Sequence, residues 1–307
     1  MFESLKLLQA HPRLPPIIGA LLLALSLGGC SAVRTGYNNA PTLAYWWLDR
    51  YFDFTDAHSV QLRHDLAAAH AWHRAQELPQ IDRLLHHLQE LSQQTVTPSQ
   101  LCRAYAQAQS RALAPLERLV PTMAAIATTL EDTQLTHMQA EFARRDKKWR
   151  SEWLDAEAPE RIERRLNRWM DWAESLYGPL QEAQIAALND HLKRSVFDPE
   201  RQFREIQRRH DDALQALQTI RKGNLAPPQA QAALSGVLER SVRAPDLAHR
   251  RYMEQVTQES CVAFADLHNR ATAAQRKRLA QSLQGYRDDA RALAPTTATP
   301  TATAAVH

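Results

Sequence analysis

Residues 162–176 read Ile-Glu-Arg-Arg-Leu-Asn-Arg-Trp-Met-Asp-Trp-Ala-Glu-Ser-Leu. Ile162, Leu166, Trp169, Ala173 and Leu176 recur at spacings of three and four, which gathers them into one apolar stripe along a helix. The pattern repeats in both directions along the chain. Ile81, Leu84, Leu85, Leu88 and Leu91 form a second stripe, Ile185, Leu188, Leu192 and Val196 a third, and Leu279, Leu283 and Tyr286 a fourth. No stretch alternates apolar and polar residues for long enough to read as a half-buried strand. The expected fold class is all-α, either a multi-helix antiparallel bundle or stacked helical hairpins.

Helix ends are marked by capping side chains and prolines. Thr97-Pro98 and Asp198-Pro199 place a cap before a proline whose missing N–H costs nothing in a first turn. Pro79, Pro115, Pro121, Pro159, Pro179, Pro227 and Pro245 read as breaks or starts, and Gly178 and Gly223 as stops. About ten helices with short connections follow from these marks. From Ala294 onward the chain is mostly Pro, Thr and Ala, which predicts a disordered tail over 294–307.

Composition agrees with helices. The chain has 307 residues, 44% of them apolar and 23% charged, enough to bury a core and unlike a disordered sequence. It has only eight glycines, of which Gly19, Gly28 and Gly29 precede Cys30, and phosphate-cradling loops consume glycine. A formal charge of +3, with both signs interspersed, does not call for an anionic partner.

The first thirty residues carry the most specific signal. Lys6 and Arg13 are followed by an apolar run from Ile17 to Leu27, then Gly28, Gly29 and Cys30. The run is too short for a bilayer core, which needs about 20 apolar residues, and suits a signal peptide. An ordinary secretory signal or an N-terminal transmembrane anchor is the alternative, and the short run with its small-residue end fits either less well. Leu27-Gly28-Gly29-Cys30 resembles the lipobox read by lipoprotein signal peptidase, although Gly28 stands where Ala or Ser is usual. That resemblance implies cleavage before Cys30 and lipid on its sulfur and new amine. At about 0.8 kcal/mol per buried CH₂, three acyl chains would anchor the chain permanently. Ser31, where Asp would signal retention in the inner membrane, implies the outer membrane and a periplasmic orientation. The expected organisation is a leader over 1–29, an anchor and aromatic segment over 30–55, and a helical domain over 56–293.

The segment after the anchor is the densest in aromatics: Tyr37-Asn38-Asn39, then Tyr45-Trp46-Trp47-Leu48-Asp49-Arg50-Tyr51-Phe52. With the lipobox before it and Gln61-Leu62-Arg63 after it, this block resembles an uncharacterised family of Gram-negative helical lipoproteins known only as a domain of unknown function. The resemblance covers most of the chain after Cys30 and brings no activity, cofactor or catalytic residue. Read from the residues alone, Tyr45, Trp46, Trp47 and Tyr51 could form a packed first helix, a membrane-surface helix or a partner site. A weaker resemblance is carried by Leu135-Thr136-His137-Met138-Gln139, which matches the LTxxQ motif of the Spy/CpxP class of periplasmic helical chaperones. Val96 to Gln100 and Ala271 to Gln275 are related, and Leu180 to Gln184 and Leu225 to Gln229 keep the Gln without the Thr. The plain physical reading is a hydrophobic staple with a capping box at each helix start.

Recognised catalytic constellations are missing: no HExxH, GxSxG, SxxK, Walker loop or GxGxxG occurs. His70 with His73, and His86 with Glu90, have helical spacings but lack a third ligand, so no metal or other cofactor is expected. Trp149, Trp153, Trp169 and Trp172 lie among Arg144, Arg145, Lys147 and Lys148 and other cations, as in single-strand binders. Interspersed Glu152, Asp155, Glu157, Glu160 and Glu163 neutralise that run. It reads as an amphipathic helix pair with the indoles inward, and neither nucleic acid nor a small-molecule substrate is expected. Asp211-Asp212 and Asp288-Asp289 diverge on a helix and make no acid/base pair. Cys102 and Cys261 remain after Cys30. They could pair across about 160 residues, for about 5 kcal/mol in the chain-entropy model, or pack as two free thiols. Pairing needs Cα atoms within about 7 Å, which spacing does not fix. The expected function is a non-enzymatic envelope lipoprotein that contacts the membrane through lipid on Cys30 and an envelope protein through its body. The alternatives are a holdase chaperone or an enzyme with an unfamiliar site.

Overall fold

The computed structural model describes residues 29–295, with side chains from Ala32 onward. The leader through residue 28, the Cys30 side chain and the tail from residue 296 lie outside the described residues. Within them the chain is all-α, with twelve α-helices and no strand. Helix α1 (Gly29–Asn38) belongs to a compact unit of its own, and its last turn is closed by Asn39 Nδ2, which donates to Thr35 O at 2.8 Å.

The second unit begins with α2 (Ala40–Phe52), followed by α3 (Asp56–Trp72), α4 (Leu78–Leu91), α5 (Pro98–Ala127), α6 (Asp132–Trp149) and α7 (Ala158–Tyr177). Helices α8 (Glu182–Arg194), α9 (Pro199–Lys222), α10 (Pro227–Val242), α11 (Leu247–Asn269) and α12 (Ala273–Leu293) complete it. Their apolar faces build two cores. Tyr45, Leu62, Ile126, Leu135, Met138, Leu217, Ile220 and Ala230 gather α2, α3, the end of α5, α6, α9 and α10 into the first. Ala173, Tyr177, Leu188, Leu192, Ala263, Leu267, Leu279 and Leu283 gather α7, α8, α11 and α12 into the second, with Leu85 and Leu88 of α4 against them.

Three helical segments extend out of the first core, and one of them, α3 with α4, reaches the second. Helices α3 and α4 are continuous through a π-helical turn at His73–Glu77, and α6 continues through another at Arg150–Leu154. A π turn holds one more residue than an α turn, so it rotates the apolar face between the two halves of a helix. The third is α5, whose 30 residues span about 45 Å. Its ends are apolar and packed, while residues 105–110 in its middle are exposed.

Pro115 and Pro121, read from sequence as breaks, both lie inside α5. Each removes one backbone hydrogen bond, which ordinarily costs about 3 kcal/mol. Burial of Thr122, Ala124, Ile126 and Ala127 just beyond them holds the helix together. Gly178 does end α7: its φ is +77°, where a side chain is disfavoured, and its N–H returns to Glu174 O at 2.9 Å.

The glutamine at helix starts is a consistent device, in a register only partly readable from sequence. Gln100, Gln134, Gln184, Gln229 and Gln275 each sit in the first turn, and each side-chain oxygen accepts from the backbone N–H three residues earlier. The Leu135–Gln139 segment is not one of these caps. Thr136 lies in the second turn of α6 and donates back to Asp132 O, while Glu131 and Gln134 form the cap. The remaining amides join helices. Gln134 Nε2 donates to Phe52 O and Asp53 O, fixing the start of α6 to the end of α2. Buried Gln184 and Gln275 exchange hydrogen bonds at 3.1 and 2.9 Å, and Gln275 also donates to Pro179 O.

Helices α4 and α12 are held by a cross-chain cluster: Arg287 donates to Asp82 at 3.0 Å and to Gln89, and Arg291 reaches the second Asp82 oxygen at 3.1 Å. Cys102 of α5 and Cys261 of α11 are joined by a disulfide, with their Cα atoms 5.6 Å apart and a sequence separation of 159.

Two outcomes follow. Gln184→Ala removes a cap and leaves the Gln275 amide short of a partner in a buried place, so it should cost about 1–3 kcal/mol in urea unfolding. Cys102→Ser with Cys261→Ser should cost about 2–5 kcal/mol, seen as a lower urea midpoint that added reductant no longer changes.

Candidate functional site

The aromatic block divides by helix face. Tyr45 and Tyr51 point into the first core, where the Tyr45 hydroxyl meets Ser59 Oγ at 2.9 Å and the Arg63 guanidinium lies 3.5 Å from its ring centre. Leu43, Trp46 and Trp47 point the other way, with Trp46 67% and Trp47 57% exposed. Packing therefore accounts for the two tyrosines and not for the two tryptophans.

Trp47 stands at the lip of the largest cleft described, about 750 Å³, which opens into the first core. The floor is apolar: Met123 from α5, Met138 and Phe142 from α6, Ile206 and Leu217 from α9, and Leu234 and Val237 from α10. One end is polar. Arg145, Lys148 and Trp149 follow one another on a single face of α6, Glu152 comes from the π turn, and Arg209 and His210 come from α9. Three cationic side chains thus face one carboxylate.

Each polar group has a distinct electrostatic setting. Arg209 is held by buried Glu205 at 2.8 Å, and Lys148 lies 3.7 Å from Glu152. Arg145 sits 5.5 Å from the Tyr51 ring centre and makes no ion pair among the described residues. The His210 ring stacks on Phe142 with centres 4.0 Å apart, and its Nδ1 is 3.2 Å from Asp146. Burial lowers the His210 pKa and outweighs the opposing pull of Asp146. Trp149 Nε1–H is buried and has no acceptor among the described residues. Exposed Arg145, beside Lys148 at one end of an apolar cleft, suits that end to an anionic group, while the indole N–H is closed off inside.

A second cleft of about 500 Å³ lies between α5, α7 and α11, beside the disulfide. Its walls include Tyr105, Trp169, Trp172 and Phe264, and no charged side chain lines it. Sequence reading turned the four indoles inward. Trp153 is buried, but Trp172 is 48% exposed, and packs edge-on against Phe264 at 4.3 Å at the mouth of this cleft. The reason is local: Ala173, not Trp172, occupies the innermost position of α7.

Among the described residues no three His, Cys, Asp or Glu side chains converge as a metal site, and no helix is long and apolar enough to cross a membrane. His86 and Glu90 form an exposed pair at 3.5 Å. Asp212 makes a two-point ion pair with Arg240 on α10. The polar end of the first cleft escaped sequence reading because α6 and α9 meet only in space. The available signal was Phe142, Arg145 and Trp149, which share one face of α6 at spacings of three and four.

Residues 50–242, more than half of the chain, match a family of unknown function, DUF6279. The chain belongs to this family. The match begins at Arg50, so Trp46 and Trp47 lie before it, whereas every residue of the polar cleft end lies within it. No curated protein and no solved structure matches the chain.

Five histidines share one electrostatic fate. His58, His73, His210, His249 and His268 all have lowered pKa values, with burial the leading cause in each. In His268 burial outweighs the hydrogen bond that Nε2 donates to Gln94 O, which favours the charged ring, while Nδ1 meets the buried Tyr177 hydroxyl at 2.9 Å. The unfolded chain takes up protons near pH 6.5 that the folded chain refuses. Stability is therefore highest above that value and falls as pH drops through it. Urea midpoints measured from pH 8 to pH 5.5 should decline steadily. A flat profile would remove the burial argument.

Proposed function

We propose that this member of the family is a lipoprotein anchored through Cys30, facing the periplasm from the outer membrane, whose helical body binds a partner and catalyses nothing. The observation that carries this reading is the use made of its three cysteines. Cys102 and Cys261 are bonded to each other, and such bonds persist in oxidising compartments such as the periplasm and are rare where thiols are kept reduced. Cys30 is left outside the pair, directly behind an apolar run and two glycines, where a lipobox places the acceptor of lipid. A thiol there can carry a thioether to diacylglycerol, and the hydroxyl of serine cannot. Ser31 supports the outer membrane.

The body supports binding over catalysis through what its clefts contain. The first combines an apolar floor with cations, and brings no nucleophile together with a base. A holdase reading has less behind it. The LTxxQ-like segment forms no cap, and the cleft is bounded at a size typical of single-ligand sites, about 300–1,000 Å³.

The anchor is tested in cells. Cys30→Ser should leave an uncleaved precursor that takes up no labelled palmitate, while the parent chain is shortened and labelled. Normal processing of the variant would end the lipoprotein reading.

A further inference from the structure

We propose that the larger cleft binds a free long-chain fatty acid, its alkyl chain on the apolar floor and its carboxylate between Arg145 and Lys148. The proposal deepens the reading of the body as a binding module and does not depend on lipid at Cys30.

The floor selects a chain. Met123 and Met138 are unbranched and adaptable, and with Leu217, Leu234 and Val237 they offer dispersion contacts and no hydrogen bond. A peptide backbone laid there would lose the hydrogen bonds it makes to water. A polymethylene chain has none to lose, and about 750 Å³ is within the range of small-ligand sites.

The polar end selects the head. Arg145 has no carboxylate partner among the described residues, and a guanidinium accepts a carboxylate at two points. One turn along, the Trp149 ring walls this end of the cleft, while its Nε1–H is closed off from it. Lys148, shared with Glu152, adds a second positive charge. Arg209 contributes less because Glu205 already holds it. The diacylglycerol expected on Cys30 carries no anion and would leave these groups unused, which favours a free acid over the chain's own anchor. Trp47, exposed at the lip, belongs to a residue type that favours membrane–water interfaces, where fatty acids reside.

The test uses the full lipidated chain in phosphatidylcholine nanodiscs and reads quenching of tryptophan fluorescence by 9,10-dibromostearic acid. Quenching should saturate, be reversed by palmitate, and be at least about tenfold weaker for the dibromostearate methyl ester, which lacks the charge. Arg145→Gln with Lys148→Gln should weaken the acid by a similar factor while leaving the ester unchanged. Leu234→Trp, which fills the floor, should abolish saturable quenching, with Ala213→Phe as the second variant if the first does not fold by circular dichroism. Equal binding of acid and ester would overturn the proposal. So would saturable quenching that persists in a folded cleft-filling variant, or quenching that only rises linearly as the lipid does by partition. If Cys30 proves unlipidated, the same titration applies to the chain without nanodiscs, so the two readings fail separately.

Discussion

Helix α5 has to bury two apolar ends that lie on either side of an exposed middle. A helix of 30 residues cannot satisfy both ends against one small core, and α5 ties the first core to a smaller apolar cluster at its start. At its start Leu101 packs near Leu91, Val96 and Ala265, and Cys102 is bonded to Cys261. At its far end Ala124, Ile126 and Ala127 are buried in the other core. The covalent link at one end and the close packing at the other make it a strut.

The two π turns answer the same constraint. Helices α3–α4 pass from one core to the other, and a regular helix would carry its apolar stripe past the second core at a different angle; α6 instead ends after its π turn at Leu154. One extra residue in a turn corrects the angle without breaking the helix. The turn at Arg150–Leu154 has a further effect, because it sets Glu152 beside Lys148 at the polar end of the larger cleft while Trp153 stays buried.

Sequence carried the fold class because burial imposes a period. The stripes through Ile162 and through Leu188 each survive as packed faces, and a one-sided apolar helix admits few other uses. Prolines misled at Pro115 and Pro121, since local propensity weighs a lost hydrogen bond but not the distant packing that offsets it. The caps misled by register. Thr136 carries the residue type of a cap, but Gln134, whose amide reaches Phe52 and Asp53, decides where α6 begins. That choice rests on contacts some 80 residues away in sequence, which no five-residue motif can express. The aromatic block showed the same limit in milder form: its spacing tells that Tyr45 and Trp46 face different ways, but not which of the two faces meets the core.

The polar end of the cleft raises the question of why a folded chain keeps a desolvated indole N–H with nothing to donate to. Such a group costs about 1–3 kcal/mol of lost solvation, a sizeable share of what a domain has to spare. Rotating Trp149 outward would recover that energy, but its ring packs against buried Trp153 at 5.5 Å. Packing therefore fixes the ring, and the ring fixes the donor. Arg145, one turn earlier, is prevented from relieving the donor because it is itself a cation and can only repel another N–H. The two groups differ in what they offer: the indole N–H is sealed inside, while Arg145 is exposed beside the apolar floor, so the charge and not the indole donor is what a ligand in the cleft can meet.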